Sequence, residues 1–275
     1  MKLNMNNLWN EFLKKGKIEN LPIIDIHCHM GLFYGSHMPY CEPEKMAQRM
    51  EIVGVKLCIF AHHYSLFEPE IGNKIVVEIV RKFPEKFKGY FSVNPHYNVK
   101  DDIKNYEKYN DVFVGFKLLP DYHKVPLSDK RYKNIFDFAD EREIIILTHT
   151  WGNSIYDGDK EVEKILKKYK KIKLILGHFL HGTWDKAVEI MKNYENVYLE
   201  LCAVVDERGI LEKIIEEIES DRILFGTDFP WFNHYYYIGS LFGAGLSADD
   251  IRRILYLNSS KLLFQTKPFH ISEKK

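Results

Sequence analysis

At 275 residues, 45% hydrophobic and 28% charged, the chain has ample core material and suits one α/β barrel, so it is read as a single domain over 1–275. Its 39 basic and 39 acidic residues cancel, which removes the electrostatic footprint of a nucleic-acid or anionic-membrane binder. There is no 18-residue apolar run, no signal-peptide pattern over the polar stretch Asn4 to Asn10, and no CxxC pair among the four cysteines (Cys28, Cys41, Cys58, Cys202), so a cytoplasmic protein with reduced thiols is expected.

Apolar runs recur along the chain at Ile23–His27, Leu57–His62, Gly89–Asn94, Val114–Leu119, Ile144–His149, Lys173–His178, Val197–Leu201 and Ile223–Asp228. Several are nearly continuous in Val, Ile, Leu and Phe, as parallel strands covered on both faces require. Amphipathic helix patterns fill the gaps. One opens at Pro43, where proline is tolerated in a first turn. Pro69 to Phe83 puts Ile71, Ile75, Ile79 and Val80 on one face and stops at Pro84. Asp159 to Lys171 carries the stripe Val162, Ile165 and Leu166; Asp185 to Tyr194, Gly209 to Ile218 and Ser247 to Leu263 behave alike. Weaker patterns lie near Asp102–Tyr109 and Arg131–Glu141, and the last ten residues read as a loose tail. Strands alternating with helices over this length predict a (β/α)8 barrel. A doubly wound open sheet would carry a glycine-rich phosphate loop after its first strand; here that strand runs into histidines.

A barrel places its active site at the C-terminal ends of its strands. In Ile23-Ile24-Asp25-Ile26-His27-Cys28-His29-Met30, alternation puts His27 and His29 on one face, and two imidazoles converging on a point suit a divalent metal. Strand four carries Lys117, strand five ends in His149, strand six in His178 and strand eight in Asp228. Taken singly, each has a bland reading. His149 or His178 could be a hydrogen-bonded core histidine, Lys117 an ion-pair partner, and Asp228 a turn former before Phe229-Pro230. Jointly, on one rim, they read as a metal site.

With these residues assembled, the sequence resembles the amidohydrolase superfamily, in particular its amidohydrolase-2 branch, over essentially the whole chain. The resemblance rests on the HxH of strand one (His27, His29), single histidines ending strands five and six (His149, His178) and the aspartate ending strand eight (Asp228). It implies a metal-activated water acting on C–N or C–O bonds, with decarboxylases and hydratases in the same branch. A metal held by His27, His29 and Asp228 would lower the pKa of bound water towards about 7. Asp228 would then act as general base and acid, and His178, if free, would stabilise charge on the substrate oxygen. In two-metal relatives a strand-four lysine carries CO2 as a carbamate, so Lys117 could bridge two ions, with His149 and His178 on the second. In single-metal relatives His149 joins the first site and His178 is catalytic. Asp25 is expected to orient a ligand histidine or to be structural.

The expected cofactor is therefore a divalent metal, zinc foremost, as one or two ions. The expected function is hydrolysis of a small-molecule amide, cyclic amide or ester, with non-oxidative decarboxylation by the same fold as the alternative. A metal-bearing barrel without turnover is a further rival, disfavoured by the proton shuttle at Asp228. The expected partner is a small-molecule substrate, with no nucleic acid or membrane, and the resemblance is compatible with a homodimer. His62, His63 and His96 follow strands two and three and read as structural or substrate-facing. The aromatic-rich loops Met30 to Cys41 and Phe229 to Ile238, the latter with Trp231, Phe232, Tyr235, Tyr236 and Tyr237, could form an apolar lid or pack among themselves.

Overall fold

The computed structural model of the protein describes residues 5–264; the tail expected over the last ten residues lies outside them. Eight parallel strands pair in chain order: β1 (Ile23–Met30), β2 (Val55–His62), β3 (Phe87–Ser92), β4 (Phe113–Leu118), β5 (Ile145–Trp151), β6 (Lys173–His181), β7 (Val197–Glu200) and β8 (Ile223–Leu224). The end of the sheet returns to its beginning. Ile26 N–H donates to Phe225 O at 2.9 Å, Asp228 N–H to His27 O at 2.7 Å, and His29 N–H to Phe229 O at 2.7 Å. The expected (β/α)8 barrel is formed.

Helices wrap the outside: α1 (Met5–Lys15), α2 (Pro43–Val53), α3 (Pro69–Lys82), α4 (Val99–Lys108), α5 (Pro120–His123), α6 (Lys133–Arg142), α7 (Asp159–Lys168), α8 (Trp184–Asn193), α9 (Ile210–Ile218), α10 (His234–Gly243), α11 (Ala248–Arg252) and α12 (Asn258–Phe264). Among the described residues no helix is long and apolar enough to cross a membrane. The four cysteines are buried free thiols.

The core has two compartments. Ile24, Ile26, Leu57, Ile59, Leu147 and Ile175 pack together inside the barrel. Alternate strand residues such as Cys28, Cys58, Phe60 and Phe116 meet the helices outside it. That alternation follows from successive strand side chains pointing to opposite faces.

Three local expectations are corrected. On α3 the buried face runs through Pro69, Gly72, Asn73, Val76, Val77, Ile79 and Val80, while Ile71 is half exposed, because Gly72 rather than Ile71 packs against Ser65. The run from Ile223 to Asp228 is not one strand: pairing to β7 stops at Leu224, and beyond it the chain bonds to β1 instead. The long C-terminal helix is interrupted by a π-helical turn, Arg253–Leu257. There Ile254 O accepts from Phe225 N–H at 3.1 Å, so a helical carbonyl is diverted to the barrel and the i→i−4 ladder slips.

One fold residue yields a pH-dependent prediction. Asp102 in α4 is buried, its Oδ2 has no hydrogen-bond partner, and burial, helped by the Asp101 charge, pushes its carboxyl up to about 7. With the native value above the unfolded one, the native state binds more protons between about pH 4 and pH 7. This group's stabilising contribution is therefore present below pH 4 and lost as the pH rises through 7. Asp102→Asn is expected to raise unfolding free energy by about 1–3 kcal/mol at pH 8 and to have little effect at pH 4. Denaturant melts at the two pH values check this; equal shifts at both would refute it.

Candidate active site

The register of β1 against β2 shifts between Asp25 and Cys28; His27 lies within the shift and His29 just past it, with ring centroids 5.3 Å apart. Asp228 reaches them from the far end of the chain. Its φ of +58° is left-handed, a conformation aspartate tolerates better than most residues, and its N–H is pinned to His27 O. Asp228 Oδ1 then lies 3.5 Å from His27 Nε2 and 3.2 Å from His29 Nε2. The ligand atoms of the three residues all fall within 4.8 Å of one another.

These residues fit a cation. Asp228 Oδ1 is buried and accepts no hydrogen bond among the described residues. Burial raises the proton affinity of that carboxyl. His27 Nδ1 faces Glu200 Oε1 at 3.1 Å. Burial, then the charge of Lys117, hold His27 well below the usual imidazole range. A neutral ring donating its Nδ1–H to Glu200 carries its lone pair on Nε2, which here accepts from Lys117 Nζ and which a metal would take in that donor's place. Burial and Lys117 hold His29 down likewise. Two imidazole nitrogens and an undonated carboxylate oxygen make a converging electron-rich triangle. A divalent-metal-binding site is present.

Glu200, at the end of β7, organises this rim. Its Oε1 accepts from His27 Nδ1 and from the backbone N–H of His178, and its Oε2 accepts from Cys202 N–H at 2.7 Å. Burial pushes Glu200 up to about 8 against the pull of those backbone donors; a cation at the triangle would favour its ionised form. The Glu200 carboxylate needs room that only glycine leaves at 226, where a Cβ would stand 2.4 Å from Oε2.

The remaining strand-end residues surround the triangle without joining it. Lys117, fully buried on β4, donates from Nζ to His27 Nε2 at 2.7 Å, and burial brings it down to about 8. His149 is oriented by the buried carboxylate of Asp157, 2.8 Å from its Nδ1. His178 stands between, its ring 5.2 Å from His27 and 4.9 Å from His149. It opens three successive left-handed residues, His178, Phe179 and Leu180, a strained path held by Glu200 and by Thr150 Oγ1, which accepts from Leu180 N–H at 3.0 Å. Burial and His149 keep His178 well below the imidazole range, and its Nδ1 has no partner.

All six sequence-predicted residues thus reach one rim. Two organising carboxylates, Glu200 and Asp157, were not anticipated. Glu200 did leave a signal, since a lone glutamate ending an apolar strand is rarely buried without a task. Asp157 sits in a loop and left none. Asp25 does not orient a ligand ring: Oδ1 accepts from His27 N–H and Thr227 N–H, and Oδ2 accepts from Thr227 Oγ1 and lies 3.0 Å from His234 Nε2. It is the structural strand residue of the two options.

A cavity of about 230 Å³ opens above the triangle, with Phe33, Tyr122, Trp151, Trp231 and Phe232 in its walls beside His63 and Asp206. His63 stacks flat on His29, 4.9 Å away, donates from Nδ1 to Gly31 O at 2.6 Å and accepts from Trp231 Nε1 at 3.0 Å. Burial and His29 bring it down to about 3, consistent with that neutral tautomer. His62 caps the turn at Tyr64 and His96 bonds His123 O, both structural roles. Of the expected aromatic lid, Trp231 and Phe232 face the cavity. Tyr235 and Tyr237 lie in α10 instead, Tyr237 fully buried and Tyr235 packed against the core.

Residues 67–265 match the family model described as Amidohydrolase. An uncharacterized metal-dependent hydrolase of Mycoplasma genitalium is 20% identical over 234 residues, 75% of this chain and 80% of that protein. An uncharacterized TIM-barrel protein of Bordetella bronchiseptica superposes with a TM-score of 0.73 at 18% identity, covering 89% of this chain and 99% of that one. A dihydroxybenzoic acid decarboxylase of Polaromonas sp. JS666, with bound manganese and the inhibitor 2-nitroresorcinol, gives 0.72 at 15% identity, covering 90% and 98%.

Proposed function

The chain belongs to the amidohydrolase family, as a metal-binding barrel enzyme of its amidohydrolase-2 branch, and on that premise we propose that it is a non-oxidative decarboxylase of a planar aromatic acid. The observation that carries this reading is the pocket: five aromatic side chains wall a cavity of flat-ring size whose floor is the cation triangle. Decarboxylases recur among proteins of the same fold, including those named for dihydroxybenzoate and 5-carboxyvanillate. This shifts the main expectation from hydrolysis to the alternative drawn from the sequence.

A divalent metal held by His27, His29 and Asp228 would supply Lewis-acid pull on a substrate oxygen. Zinc is one candidate. Manganese, bound in the Polaromonas enzyme, is another, because two imidazoles and a carboxylate suit both. Asp228, through the carboxyl oxygen turned away from His27 and His29, delivers a proton to the ring carbon as its bond to the carboxylate breaks and CO2 departs, and is reprotonated from solvent. Lys117 lends positive charge to the acid on binding. His178, kept neutral, is placed to hydrogen-bond a substituent oxygen, and the aromatic walls offer flat faces for the ring to stack on.

Hydrolysis is the second reading, and Lys117 favours it: a buried lysine brought down to about 8 beside His27 is suited to carrying a CO2-derived carbamate between two metals. Isotopes separate the two. Given a panel of hydroxylated benzoates in deuterated water, the enzyme is expected to release CO2 and leave one deuterium on the ring. Uptake of ¹⁸O from labelled water into product, with no CO2, would establish hydrolysis instead.

A further inference from the structure

Behind the pocket, on the opposite side of β1, a second group of ligand-type side chains converges. The ligand atoms of Asp25, Cys28, Cys58 and His234 all lie within 4.8 Å of one another. Their residues are 0%, 1%, 0% and 2% exposed, so the group is shut off from solvent. Three elements contribute to it. Asp25 and Cys28 come from β1, Cys58 sits opposite Asp25 on β2, and His234 is the first residue of α10, set there by the Asn233 cap on Tyr235 N–H.

The irregularity of β1 between Asp25 and Cys28 separates this cluster from the catalytic triangle, turning those two residues to one face and His27 and His29 to the other. Ile24, Ile26 and Ile59 fill the barrel interior, whereas Cys28 and Cys58 face the layer between strands and helices. No residue of the cluster lines the substrate cavity.

The donor set is chemically specific. Two thiols, one imidazole and one carboxylate are four donors of the kind that close a structural tetrahedral zinc site, while magnesium or calcium would ask for oxygen alone. The carboxylate is held in place by Thr227 and by two backbone N–H groups, and the imidazole is fixed by stacking on Phe229, 4.5 Å between centroids. In a tetrahedral site with bonds of about 2.0–2.3 Å, neighbouring donors stand roughly 3.3–3.8 Å apart. The 4.8 Å limit of the cluster therefore leaves only a small contraction to make.

We propose that Asp25, Cys28, Cys58 and His234 form a second, structural site for a thiophilic divalent cation of the zinc class. Binding forms two metal–thiolate bonds, replaces the hydrogen bond between His234 Nε2 and Asp25 Oδ2, and expels to solvent both thiol protons and the proton that pair holds; no electrons move. The ion fastens β1, β2 and the start of α10 directly behind His27 and His29, so the ligand strand is braced from its far side. The proposal is independent of the reaction catalysed in the pocket.

Cobalt(II) tests it, because thiolate coordination gives an intense near-ultraviolet charge-transfer band that imidazole and carboxylate ligands cannot produce. The full chain, stripped with chelator and reloaded with cobalt without oxygen, is expected to show that band and to hold at least two ions. Cys58→Ser and Cys28→Ser should each abolish the band and remove one ion per chain. Cys202→Ser, near His178 and Glu200, should retain it. Should the serine variants not fold, X-ray absorption at the zinc edge of the wild-type, zinc-loaded protein decides without them. Sulfur scatterers at bonding distance support the site; a shell of nitrogen and oxygen alone, or a band unchanged in both serine variants, overturns it.

Discussion

Asp228→Asn is expected to lower turnover by about three orders of magnitude, within the range for losing a positioned acid or base, while the fold survives. The substitution is nearly isosteric, and asparagine accepts the left-handed φ of +58° at this position. It also relieves a buried carboxylate oxygen that has no hydrogen-bond donor, so the metal-free protein should melt no lower than the parent. What is lost is charge: the triangle keeps two neutral imidazoles but no anion, and no carboxyl proton remains to deliver. Steady-state kinetics with metal analysis and a thermal melt on the same preparation check the claim. Turnover like that of the parent would exclude Asp228 from proton transfer.

Glu200→Gln is the second large effect, and it acts through another residue. Glu200 touches His27 and the backbone of His178 and Cys202 but does not line the cavity. Its carboxylate makes His27 a better ligand and fixes the tautomer. Removing such a partner typically weakens metal binding 10–100-fold. Glutamine retains one carbonyl oxygen, yet its NH2 must meet a backbone N–H that formerly donated to the carboxylate, leaving a buried donor unpaired. The expected result is a 10–100-fold rise in apparent metal Kd by chelator competition, with turnover largely restored at saturating metal. A parent-like metal affinity would show that Glu200 does not tune the site.

The π-helical turn and the left-handed run at His178 share a logic with these two carboxylates. Each is a local irregularity held in place by a contact from a distant element: Phe225 N–H on Ile254 O, and Glu200 on His178 N–H. Neither contact belongs to the periodic pattern of its own segment, which is why pattern reading passes over both.

What was legible in the amino-acid order was whatever is local. Runs of Val, Ile and Leu marked parallel strands because such strands are covered on both faces. The residues at or near the ends of those runs, His27, His29, Lys117, His149, His178 and Asp228, marked one rim because every strand of a barrel points the same way. Tertiary structure decided the rest. His27 meets Glu200 from 173 positions away, and Asp25 meets His234 from 209. Such meetings depend on where the barrel closes and how each strand registers with its neighbour, and a period-two pattern carries information about faces but none about which distant face lies opposite. Closure of the barrel onto β1, which brings Asp228 to His27, and the register of β1 on β2, which sets Cys58 opposite Asp25, therefore selected the metal triangle and the thiol cluster behind it from many histidines, acids and cysteines that local pattern alone leaves equivalent.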